Sequence, residues 1–94
     1  MNKTVIKPDE NIFEVLGVPN ASFEKMRLDL MLEIHEWFEL SGLTQVKASK
    51  LLACTQPQLS LILKGRFEDF TIERLVKMLD SVGKTVRVNV LEAA

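Results

Sequence analysis

Glu33, His35, Glu36 and Glu39 fall within seven residues, and Cys54 follows fifteen positions later. A histidine among carboxylates is the composition of a general acid–base pair, and a lone thiol is the composition of a nucleophile or redox sensor. The partners such chemistry requires are missing. The chain has one histidine and one cysteine, too few for a zinc site of three or four ligands, and a single thiol closes no intramolecular disulfide. No Gly-rich nucleotide motif occurs. The glutamates read as the solvated face of a helix, and Cys54 reads as a small core filler. The inventory predicts no enzyme, no metal and no cofactor.

The second chemical group is basic. The 94 residues carry a net charge of −1, with 12 basic against 13 acidic side chains. Residues 1–40 hold four basic against eight acidic side chains, whereas residues 41–66 hold Lys47, Lys50, Lys64 and Arg66 with no acid at all. Residues 67–94 are nearly balanced, with four against five. Partners feel the distribution of charge and not the total. A wholly basic middle in a near-neutral protein suits a polyanion, although four exposed cations are also compatible with a plain solvated face.

Positioning those side chains requires helices. The 47% apolar and 27% charged composition is that of one ordinary globular domain, residues 1–94, without repeat or linker. Asn11 to Leu16 reads as a short helix stopped by Gly17 and Pro19. Ser22 can cap a long helix to about Leu40, with Phe23, Met26, Leu30, Ile34, Trp37 and Phe38 at helical spacing. Ser41-Gly42 ends it. Thr44 caps a second helix, Gln45 to Leu52. Thr55 caps a third, where Gln58 completes a Thr-x-x-Gln capping box and Pro57 occupies the tolerant first turn. Thr71 caps a fourth segment carrying Ile72, Leu75, Val76 and Leu79, with Gly83 as its stop.

The period then changes from 3.6 to 2. In residues 84–91, Val86, Val88 and Val90 alternate with polar residues and predict a strand. A lone strand must pair. Thr4 to Lys7 is one short candidate; the same strand of a second copy is the other, and it would make an isologous dimer. No run approaches the ~18 apolar residues of a membrane span, and the N-terminus lacks a signal-peptide pattern. A cytoplasmic location without membrane contact is expected.

Residues 45–64, QVKASKLLACTQPQLSLILK, place small or apolar side chains at Ala48, Ser49, Leu52, Cys54, Leu59 and Ile62. That pattern fits two short helices crossing tightly around Ala53-Cys54-Thr55, with Gln56, Gln58, Ser60, Leu61 and Lys64 projecting outward. It is the packing pattern of a helix-turn-helix, whose second helix enters the DNA major groove.

The run LTQVKASKLLACTQPQLSLILKGRF resembles the Xre/Cro-type helix-turn-helix regulators. From Asn11-Ile-Phe through Leu-Gly-Val-Pro, Gly-Arg-Phe and Phe-Thr-Ile-Glu-Arg-Leu to the closing strand, the chain is similar to a short subgroup containing antitoxins of HigA type and solitary relatives. The resemblance spans about residues 11–91. It implies an all-α, lambda-repressor-like domain of about five helices plus a C-terminal strand, 84–91, that pairs across a homodimer, with the motif at 44–65. It also implies roles. Gln45 touches a phosphate and braces the recognition helix, and Thr44 joins it at that phosphate. Thr55, Gln56, Gln58 and Ser60 stand at the DNA-facing start of the recognition helix, where a glutamine can pair with adenine. Lys64 and Arg66 suit flanking phosphates, and Lys47 and Lys50 add charge on the same side.

Two positions depart from the pattern. Ala53 stands where the turn has glycine, so it must accept an unusual backbone angle or the turn must differ. Leu61 replaces a polar reader, which leaves a thymine-methyl contact or weaker binding as alternatives. The resulting expectation is a repressor binding double-stranded DNA at a palindromic operator and, if the antitoxin likeness holds, a RelE/HigB-type toxin. The acidic face of the long helix is then free for such a basic partner. The alternative is a protein-interaction module of the same fold that binds no DNA.

Overall fold

The computed structural model describes residues 21–92, which contain four α-helices and no strand. These are α1 (Ala21–Ser41), α2 (Gln45–Leu51), α3 (Gln56–Leu63) and α4 (Ile72–Ser81), with one 3-10 turn, Phe67–Asp69, joining α3 to α4. The expected helix at 11–16 and the strand-like run at 4–7 lie outside the described residues.

The long helix α1 forms the base of the fold. It packs against α4, α3 and the 3-10 turn, while α2 packs on α3. Leu30, Met31 and Ile34 are its buried residues, and Leu28, Trp37 and Phe38 are half-buried against the same core. Glu24 lies in the first turn, where a carboxylate suits the positive end of the helix dipole. Two expectations for this helix need correction. Ser22 lies inside the helix and does not cap it. Phe23, expected on the packed face, is 55% exposed, because the packed stripe begins only around Leu28. At the other end, the Ser41 hydroxyl donates to the Phe38 carbonyl at 2.7 Å and accepts from the Leu43 N–H at 3.1 Å. That exchange ends the helix by satisfying one orphan carbonyl.

The core is continuous across all four helices. Ile34, Leu52, Leu59, Ile62, Leu75, Met78 and Leu79 are its largest fully buried side chains. Burial of each is worth roughly 1.5–3 kcal/mol. Thr71 caps α4 as expected, accepting from the Arg74 N–H at 3.1 Å. The α4 C-terminus closes with the Gly83 N–H on the Asp80 carbonyl and the Lys84 N–H on the Leu79 carbonyl, at 3.1 and 3.0 Å. These are the paired bonds of a Schellman end, and Gly83 takes the left-handed φ of +80° it needs.

After Gly83 the chain runs back over the α1 and α4 surfaces. Residues 84–92 form no ladder with any described segment. The three valines occupy different environments: Val86 packs partly against the core, while Val88 and Val90 are 67% and 92% exposed. Lys84 Nζ lies 3.8 Å from a Glu33 carboxylate oxygen on α1.

Candidate nucleic-acid interface

The site begins with two small residues. Ala48 and Ser49 on α2 are 0% and 3% exposed, and α3 packs on this helix. A larger side chain at either position would separate the helices. The Ser49 hydroxyl remains satisfied by donating to the Val46 carbonyl at 2.8 Å. Leu52, Leu59 and Ile62 fill the angle between the helices at 0% exposure, as the sequence predicts. Cys54 is half-buried against the same core. Burial pushes its thiol pKa up, and the nearby Arg74 charge partly opposes that shift. The result is a protonated, weakly reactive thiol, in keeping with a packing role.

The turn resolves the first departure. Ala53 adopts φ +55°, the left-handed region that glycine favours. The Ala53 N–H donates to the Lys50 carbonyl at 3.2 Å and the Cys54 N–H to the Ser49 carbonyl at 2.9 Å. The turn therefore keeps the geometry of a glycine-ended helix, with alanine in the strained seat. A side chain far away in sequence supports it. Arg74 of α4 donates from Nη2 to the Ala53 carbonyl at 2.7 Å. Neither periodicity nor local motif could reveal this contact.

Helix α3 starts on a complete capping box. The Thr55 hydroxyl accepts from the Gln58 N–H at 3.2 Å, and Gln58 Oε1 accepts from the Thr55 N–H at 3.0 Å. This agrees with the sequence and changes the reading of Gln58: its carbonyl oxygen is engaged by the cap. Its amide N–H groups are the ones left wholly free for a ligand. Thr44 caps α2 in the same manner, accepting from the Lys47 N–H at 3.3 Å.

The starts of α2 and α3 are joined directly. Gln56 Nε2 donates to Gln45 Oε1 at 2.7 Å. The first residue of one helix thus braces the first residue of the other, and both amides keep further hydrogen-bonding capacity. Ser60 is half-buried on α3. Leu61 is also half-buried and packs against the core, so it projects outward less than expected.

The cations divide into two groups. Lys47, Lys50 and Lys64 are exposed and form no ion pair among the described residues. Arg66 does: its Nε lies 3.0 Å from Glu68 and its Nη2 lies 3.2 Å from Asp69. Its free charge is therefore smaller than the sequence suggested. The backbone around Glu68, together with the Arg66 guanidinium, holds the Glu68 carboxyl below its ordinary pKa. Two acids directly after a basic motif were a visible signal; that both turn back onto Arg66 was not.

On α1, His35 Nε2 lies 4.0 Å from Glu39 Oε1, with both side chains partly exposed. No group of three or more His, Cys, Asp or Glu side chains able to hold a metal occurs among the described residues. No described helix is long and apolar enough to cross a membrane.

A family model described as a helix-turn-helix domain matches residues 12–91, and the chain belongs to that family. The search of curated proteins returned no match. Family membership and the geometry of α2 and α3 together point to DNA as the partner.

Proposed function

We propose that this helix-turn-helix protein is a sequence-specific repressor that binds a palindromic operator as a homodimer in the cytoplasm. The observation that carries the reading is the Gln45–Gln56 bridge at 2.7 Å, set at the capped starts of α2 and α3. A glutamine held this way can offer its remaining groups to a phosphate from Gln45 and to a base edge from Gln56. Thr44, Lys47, Lys50 and Lys64 supply backbone contacts, while Thr55, Gln58, Ser60 and Leu61 shape the base-facing surface. Arg66 joins the phosphates after exchanging its present partners. Two recognition helices about 34 Å apart then occupy successive major grooves and exclude RNA polymerase.

Dimerisation falls to residues 84–91. Val88 and Val90 are exposed apolar side chains on a segment without a partner strand among the described residues. Pairing with the same segment of a second copy would satisfy backbone and valines together. The likeness to HigA-type antitoxins adds a further role, neutralising a RelE/HigB-type toxin and autoregulating a shared operon. The exposed carboxylates Glu33, Glu36 and Glu39 on α1 give a basic toxin a complementary face. A toxin-sized ribonuclease gene beside this one would support the antitoxin role, and its absence would leave a solitary regulator.

Selection from a random duplex library, followed by anisotropy titration, tests the central reading. The wild type should enrich a palindrome. Gln45→Ala and Lys64→Ala should weaken binding, and Lys64→Ala should lower the salt slope by about 0.9. Deletion of 84–94 should yield a monomer by light scattering and lose affinity with the second half-site. The second reading, an interaction module without DNA binding, draws on half-buried Leu61 and on the paired Arg66. Failure of every duplex to bind would favour it.

A further inference from the structure

The basic motif ends in an arginine that the fold has already paired. Arg66 follows Lys64, the C-cap of α3, and Gly65, and its backbone is fixed on both sides. Its N–H donates to the Leu61 carbonyl at 3.0 Å, and its carbonyl accepts from the Asp69 N–H at 3.3 Å. The 3-10 turn that follows therefore delivers Glu68 and Asp69 to two different nitrogens of one guanidinium, Nε and Nη2. This fork is the arrangement a guanidinium uses to grip a phosphate.

We propose that Glu68 and Asp69 act as an internal phosphate surrogate, competing with DNA for Arg66 and thereby suppressing non-specific binding. The proposal rests on the DNA-binding reading above and deepens it. Non-specific affinity comes almost wholly from phosphate neutralisation, whereas operator affinity also draws on base contacts. Withdrawing one of the motif's four cations therefore costs non-specific binding the larger share. The pairs can also yield. The Arg66, Glu68 and Asp69 side chains are 55%, 51% and 40% exposed, and exposed ion pairs are weak. A DNA phosphate placed by a seated recognition helix can displace them.

The test is the full chain carrying E68Q and D69N, titrated by fluorescence anisotropy with a 20-bp duplex of random sequence between 50 and 200 mM salt. The control is E36Q with E39Q, which removes the same charge from exposed positions on α1. The surrogate variant should bind about tenfold tighter at low salt, with a salt slope steeper by about 0.9, one additional phosphate contact. The α1 control should change much less. Adding R66A should remove most of the gain. An unchanged slope, an equal gain in the α1 control, or a gain that survives R66A would each overturn the proposal. Wild-type protein that binds no duplex at any salt would overturn the DNA-binding reading itself and the surrogate with it.

Discussion

Arg74 reaches from α4 to donate a 2.7 Å hydrogen bond to the carbonyl of Ala53, the residue in the left-handed seat between α2 and α3. One side chain thus ties the scaffold to the turn that sets the angle between α2 and α3. The bond also directs the peptide after Ala53, so the alanine strain is held in place by a charged donor from outside the motif.

Replacing Ala53 with glycine should relieve that strain. A left-handed non-glycine residue costs roughly 1–2 kcal/mol, and glycine returns part of this through greater unfolded-state freedom. A net gain of up to about 1 kcal/mol is expected, raising Tm by a few degrees. Arg74→Met should lower stability by about 1 kcal/mol through loss of a charge-assisted bond. Thermal melts of both variants check this, and an A53G protein less stable than wild type would contradict the strain.

Thr55→Ala removes the acceptor half of the capping box. The expected loss is about 1 kcal/mol of global stability. If α3 reads DNA as proposed, affinity should fall as well, because the helix starts at this cap. Urea unfolding and duplex titration on the same samples separate the two effects.

Gln45 and Gln56 should prove coupled. If each amide positions the other, Q45A and Q56A will weaken operator binding individually, and the double variant will lose less than their sum. A coupling of roughly 0.5–1.5 kcal/mol fits one bridging hydrogen bond. Strict additivity in the double-mutant cycle would show that the bridge has no role in binding.

Cys54 makes a pH prediction. Burial raises its thiol above the ordinary cysteine value in the folded protein, and the nearby Arg74 charge partly opposes this. The folded state then holds the proton more tightly than the unfolded chain. Stability is fully present below the unfolded thiol pKa of about 8.5 and declines as pH rises above it. Urea midpoints at pH 7.5 and 9.5 should fall more for wild type than for C54A, and R74M should enlarge the difference by removing the opposing charge.

The parts of the fold written in short sequence windows were legible. Thr44, Thr55 with Gln58, and Thr71 are caps whose partners lie three residues away. Ala48 and Ser49 announce a helix crossing because only small side chains fit there. What the sequence concealed depends on distance or rotamer. Arg74 meets Ala53 across 21 positions. Gln58 spends its oxygen on the cap, Arg66 turns onto Glu68 and Asp69, and Leu61 leans toward the core. Phe23 has the right spacing for the core but lies ahead of the packed stripe. The alternating valines of 84–91 form no ladder with any described segment, and Val86 alone of the three packs against the core.

The seven-residue α2 and eight-residue α3 are well below the ~12–15 residues at which an isolated helix begins to hold in water. Their amide protons should therefore exchange only when α1 and α4 let go, so this helix pair has no private opening mode. If the protein is the repressor proposed above, operator occupancy would hold and then collapse across the same narrow interval as the whole domain, and its target gene would respond to heat as a step.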